Sequence, residues 1–214
     1  MFTRTTAYIL LAALAVACAL WALPHWLSTR ESARPMLQAV QLFDQPRELP
    51  PFSLQQSDHT PLVRDELKGH WTLVFLGFTH CPDECPTTLA QLAQAQKQWQ
   101  VLPEPTRPRV LFVSVDPERD TPDAVGEYAH GFHRDTLAAT ADGSTLEAFA
   151  RSLSLVFMKV SAPDGAPADQ YTVDHSAALA VLDPQARMAG VIQAPLDPKA
   201  IASDLVTLTR ASAQ

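Results

Sequence analysis

Cys81 and Cys85 stand four residues apart in His80-Cys-Pro-Asp-Glu-Cys-Pro86, directly after an apolar run and at the opening of a helical pattern. Two thiols at that spacing offer two chemistries, joint capture of a soft metal or reversible closure to a disulfide. One helical turn apart, their Cβ atoms would be about 5–6 Å from each other. A disulfide wants roughly 3.5–4.5 Å between them. Two thiolates that share one metal at bonds of about 2.3 Å sit up to roughly 4 Å apart, so a metal suits this spacing with less distortion. The disulfide stays within reach if Cys81 lies just before the helix. A helix N-terminus also favours thiolates, because its free N–H groups and dipole stabilise negative charge.

His175, in Val173-Asp-His-Ser176 directly before a predicted strand, is the third candidate donor. By residue type alone, a lone histidine there is more often a surface loop residue. Together with the thiolates it makes an S₂N set, soft enough for Cu(I) and compatible with Cu(II) or zinc. A structural zinc site wants four protein ligands, and no fourth is evident. His80 adjoins Cys81 but should project away from it. His130 and His133, three apart, can share a helix face and read as solvated; His25, His59 and His70 carry no signal. A thioredoxin-type redox site has two residues between its cysteines, where this chain has three. The peroxiredoxin pattern needs proline at position 74 and threonine at position 78, which are Val74 and Phe78 here. A hydrolytic cysteine is disfavoured, since Cys85 would trap an oxidised Cys81 as a disulfide.

The elements that must position these residues alternate. Trp71–Phe78 and Val110–Val115 are apolar runs that read as buried strands, the second stopped by Asp116-Pro117. Between them Leu89, Leu92, Ala93, Gln96 and Trp99 recur at helical spacing over Thr87–Gln100. Thr121–Phe132 reads as a helix capped by Thr121 with Pro122 at its first position, and Ser144–Ser152 as another, with Ser144 as cap and Glu147 three residues on. Val156–Val160 and Gln170–Val173 flank Pro163-Asp-Gly165 as a hairpin; Ala177–Leu182 and Met188–Ile192 form a second strand pair; Asp197–Leu208 is a final helix. This is an α/β chain with a mixed central sheet flanked by helices. The cysteines lie beyond the carboxyl end of a central strand, where sites collect in open α/β sheets.

Apolar residues make up 47% of the 214, and beyond residue 30 only 14 basic residues face 23 acidic ones. So acidic a body is repelled by phosphate backbones, which excludes nucleic acid. Three cysteines are too few for a disulfide scaffold. From Ala7 to Leu27 the chain carries no formal charge. A helix of that length spans about 30 Å, the thickness of a bilayer core. Tyr8, Trp21 and Trp26 flank it as an aromatic belt would. The apolar run continues past any cleavage site at Ala19–Ala22 and past Cys18, which favours an uncleaved anchor over a signal peptide or a lipoprotein leader. The organisation expected is a tail at 1–6, a transmembrane anchor at 7–27, a stalk at 28–48 and one domain at 49–214. Flanking charge is close to a tie, so the orientation rests on the cysteine chemistry, which puts the domain outside the cytoplasm.

Three stretches in register, Gly77–Leu89, Ser114–Pro122 and Tyr171–Ala178, resemble the Sco/SenC family of copper-binding cytochrome c oxidase assembly factors. The resemblance runs from about Leu49 to the C-terminus. It implies a thioredoxin-like fold, with the hairpin as an insertion, and copper, Cu(I) or Cu(II), held by Cys81, Cys85 and His175. It implies a chaperone rather than an enzyme, seated in the inner membrane with its domain on the periplasmic side. The expected partners are cytochrome c oxidase subunit II as acceptor, an extracytoplasmic thiol reductant and an upstream copper donor. Cys81 and Cys85 would close to a redox disulfide on oxidation. Asp116 and Asp174 are candidates for supporting the site from behind the ligands. A thiol–disulfide reductase acting on the oxidase's copper-site cysteines, and a redox or copper sensor, use the same residues and stay open.

Overall fold

The computed structural model describes residues 36–212 except 163, 164, 166, 168 and 169, together with Leu14, Val16 and Cys18. The expected anchor therefore lies outside the described residues but for those three, which are helical. Among the described residues no helix is long and apolar enough to cross a membrane. In chain order the strands are β1 (Val40–Glu48), β2 (Ser53–Gln56), β3 (Pro61–Val63), β4 (Thr72–Gly77), β5 (Arg109–Ser114), β6 (Leu137–Thr140), β7 (Phe157–Val160), β8 (Thr172–His175), β9 (Leu179–Leu182) and β10 (Arg187–Ile192). The helices are α1 (Glu84–Trp99), α2 (Pro122–Phe132), α3 (Gly143–Ser152) and α4 (Pro198–Ser212).

Eight strands form one sheet in the order β1-β10-β9-β4-β5-β6-β2-β3. β4, β5 and β6 run parallel, joined by α1 and α2, and the flanking pairs are antiparallel. β4 and β5 lie at the centre and are buried along their length, which is why both read as unbroken apolar runs rather than alternating ones. α1 and α4 pack on each other and close the core around Trp99, Phe75 and Phe112. β7 and β8 form a separate two-stranded sheet.

Several boundaries differ from the sequence reading. The compact unit begins at Leu37, so the second half of the expected stalk is sheet. β1 is an edge strand paired only with β10, and its register breaks between Leu42 and Arg47, around Pro46. An edge strand with one partner tolerates proline and polar residues, and so loses the apolar signature. α1 starts at Glu84 rather than Thr87 and takes Cys85 into its first turn. Asp142, not Ser144, caps α3: its carboxylate accepts the Thr145 N–H at 3.0 Å, and the Ser144 hydroxyl donates to it. Thr121 and Pro122 open α2 as expected, with Thr121 Oγ1 accepting the Ala124 N–H at 3.3 Å.

A buried carboxylate ties the two ends of the unit. Asp204 of α4, 2% exposed, accepts the backbone N–H groups of Gln38, Ala39 and Val40 at 2.7–3.1 Å. These donors lie where the chain enters β1, at the start of the strand ladder, and the carboxylate satisfies them there.

Candidate metal centre

The chain leaves β4 at Gly77, turns through Phe78–Pro82 and enters α1. That turn puts Cys81 three residues before the helix, half-buried, and Cys85 inside it, fully buried. The Cys85 N–H donates to Cys81 Sγ at 3.3 Å, so a cysteine sulfur takes one of the free donors of the helix N-terminus. Both cysteines are free thiols.

Facing them is His175. It is the last residue of β8, not a loop residue ahead of a strand as the sequence suggested, and it pairs across the hairpin with Phe157. Its Nδ1 meets the Ser176 carbonyl at 3.2 Å, an acceptor, so Nδ1 carries the proton. Nε2 is left with its lone pair toward Cys85 Sγ, 3.4 Å away. The imidazole is held edge-on to Phe75 and Phe78, with ring centroids 5.7 and 6.2 Å away. The two sulfurs and a ring nitrogen of His175 lie within 4.8 Å of one another. Their cleft of about 260 Å³ carries Asp83, Glu84 and Asp174 on its lining beside His175, and no lysine or arginine. Burial pushes the Cys85 thiol pKa far above its ordinary range.

The remaining candidates separate clearly. Asp116 is buried and touches none of the three donors; its carboxylate accepts from Arg119 Nε at 2.6 Å and from the Tyr171 hydroxyl at 2.5 Å. Asp174 is exposed at the rim and pairs across the hairpin with Met158; among the described residues no hydrogen bond of its side chain holds the loop. His80 is exposed and turned to Asp120 at 3.4 Å and Thr79 Oγ1 at 3.0 Å, outside the donor triad. His80, Asp116 and Asp120 also cluster within 4.8 Å. Both carboxylates there are already taken by hydroxyl, backbone and guanidinium donors, which leaves poor provision for a cation. His130 is exposed, whereas His133 is buried, contrary to the solvated reading: it closes α2, and its Nδ1 accepts the Asp135 N–H at 3.2 Å.

Sequence reasoning missed Gly77, Arg119, Asp120 and Tyr171. All four lie in or beside the stretches that carry the resemblance. Each owes its role to a partner distant in sequence, which residue type and spacing do not announce.

A family model described as SCO1/SenC matches residues 41–210. This chain belongs to the SCO1/SenC family. Among solved Sco proteins, Arabidopsis thaliana ScoI with copper bound aligns at TM-score 0.68 and 32% identity, covering 76% of this chain and 98% of that one. Bradyrhizobium japonicum ScoI with copper bound aligns at 0.66 and 30%, covering 75% and 98%. The mixed sheet flanked by helices is therefore the thioredoxin-like architecture of the Sco structures. Among curated relatives, the mitochondrial SCO1 homolog 1 of Arabidopsis thaliana is 37% identical over 137 residues, 63% of this chain and 39% of that protein. The human mitochondrial SCO2 homolog is 38% identical over 119 residues, 56% of this chain and 44% of that protein. The matched part is less than half the length of either mitochondrial relative.

Proposed function

We propose that this protein captures copper through Cys81, Cys85 and His175 and delivers it to the dinuclear copper site of cytochrome c oxidase subunit II. The observation that carries the reading is the donor triad, two sulfurs and an imidazole nitrogen within 4.8 Å at the mouth of an open cleft. The donor chemistry fits copper in either oxidation state: soft thiolates, plus an imidazole already in the tautomer that offers Nε2. Copper is cargo here. Three protein donors leave a coordination position open to a donor from the acceptor, so the ion can pass by ligand exchange without ever being free. The acidic lining attracts a cation and a basic partner surface. Capture displaces the thiol protons, so binding strengthens as pH rises.

Within this reading the chain is an inner-membrane protein anchored by residues 7–27, with its domain on the periplasmic side. An upstream donor supplies the copper. In that compartment Cys81 and Cys85 are liable to close to a disulfide, since Cys81 precedes the helix and is free to approach Cys85. A thiol reductant must then reopen the pair before metal can bind.

The test is copper titration of the reduced protein beside His175→Ala. One copper per chain is expected, with affinity lowered at least about tenfold in the variant and binding lost when the cysteines are oxidised. Binding that ignores His175 would overturn the three-donor site.

The second reading, a thiol–disulfide reductase of the oxidase's copper-site cysteines, has one observation in its favour. A half-exposed Cys81 beside a buried Cys85 is the arrangement of an attacking and a resolving thiol. It predicts that His175→Ala still supports oxidase assembly at trace copper.

A further inference from the structure

Among the described residues the hairpin that carries His175 pairs only with itself, while both cysteines follow a central strand of the main sheet. No strand ladder therefore fixes one half of the donor set against the other, and a lone two-stranded hairpin is marginally stable by itself. The distance between the halves is set by the three-residue link from His175 to β9, which is laddered to β4, and by side-chain contacts. Beyond the contacts of the imidazole with Phe75 and Phe78, those side chains converge on one short turn, Asp116–Asp120, just after β5.

Toward the hairpin, Asp116 accepts the Tyr171 hydroxyl at 2.5 Å, and Arg119 Nη1 donates to the Tyr171 carbonyl at 3.1 Å. The Tyr171 ring meets two cations, the Arg119 guanidinium carbon at 3.7 Å and Lys159 Nζ at 3.8 Å from its centroid. Lys159 in turn is bound by Glu118 at 2.6 Å, so the turn grips both strands of the hairpin. Toward the cysteines, Asp120 accepts the Thr79 N–H at 2.8 Å and the Thr79 hydroxyl at 2.5 Å, two residues before Cys81. Asp120 also accepts the Ser114 hydroxyl, which seats the whole turn on the end of β5.

We propose that the Asp116–Asp120 turn is the brace that registers His175 against Cys81 and Cys85, and that Tyr171 is a positioning residue for metal capture. This rests on the three-donor reading above. Tyr171 touches none of the donors. It acts by holding the strand that ends in His175, four residues on, so that Nε2 meets the sulfurs without a search. Removing its hydroxyl leaves the ring between Arg119 and Lys159 and the Arg119 bond to its carbonyl, but breaks the link to Asp116, and the histidine then samples positions from which it does not ligate.

The experiment is a double-mutant cycle on the full chain, with Tyr171→Phe, His175→Ala and the pair. Copper affinity is read by chelator competition, the thiolate-to-Cu(II) absorption band is recorded, and the Cys81–Cys85 reduction potential serves as a control. Tyr171→Phe is expected to weaken copper binding roughly tenfold, to shift the absorption band toward that of His175→Ala, and to leave the reduction potential in place. In the His175→Ala background it should change affinity less than about twofold. Asp116→Ala, which removes the acceptor of the Tyr171 hydroxyl, provides a second route to the same lesion should Tyr171→Phe unfold, as judged by its thermal midpoint. An unchanged affinity in both variants, or an equal loss with and without His175, would overturn the brace while leaving the three-donor site standing. If His175→Ala itself costs nothing, both ideas fall together.

Discussion

A methyl group built on Gly77 would sit 2.9 Å from Cys85 Sγ and 2.9 Å from Phe112 Cε2, closer than packed atoms approach. The glycine is thus the space into which the buried sulfur fits. Gly77→Ala should cost about 1–3 kcal/mol in urea unfolding, the usual range for an overpacked core, and should weaken copper capture by pushing Cys85 out of register with Cys81. A loss of stability with undiminished metal affinity would show that the sulfur's position does not depend on this contact. The cysteine pair is legible in the sequence because its spacing is itself chemical. Gly77 is not, since nothing in Leu-Gly-Phe says that a sulfur eight residues later comes to rest against it.

Among the elements, the buried centre of the sheet can be read from sequence and its edges cannot. β4 and β5 are covered on both faces, so their apolar runs leave no ambiguity. β1 and β3 are the edge strands, where one partner suffices and polar residues are tolerated, β2 is a four-residue strand next to the edge, and the sequence there resembles loop. The end of α2 shows the same limit at a helix. His133 is spaced like a surface residue but closes the helix in a buried position, joined to Asp135 and to Gln96 of α1. Burial lowers its pKa below the ordinary 6.5. The unfolded chain then binds more protons than the native one as pH falls below about 6.5, so the contribution of His133 is complete above that value and is lost on acidification. His70, also buried with a lowered pKa, acts in the same direction. His133→Gln should flatten, without abolishing, the fall in thermal midpoint between about pH 7.5 and 5. A midpoint whose pH dependence is unaltered would remove His133 from the account.

At the scale of the whole molecule, closure depends on contacts between the first and last elements. The Asp204 carboxylate holds three N–H groups 164 to 166 residues away. Asp204→Ala leaves those donors buried or half-buried without a partner and should cost about 2–4 kcal/mol in denaturant unfolding, with Asp204→Asn falling between it and the native protein. Equal stability in all three would mean that water replaces the carboxylate.

The order of strands has a consequence in time. A ribosome delivers the chain from its N-terminus, and β1 cannot pair until β10 has been made, nor can β4 acquire its antiparallel neighbour before β9. Cys85 is synthesised ninety residues ahead of His175. Throughout that interval the nascent chain presents two adjacent thiols with no imidazole to complete a copper site and no finished sheet to shelter the buried one. On the proposed placement the hazard of oxidation begins when the still unfolded chain leaves the reducing cytoplasm, and the thiol reductant in the proposed cycle has its first work on newly exported protein, before any copper has been carried.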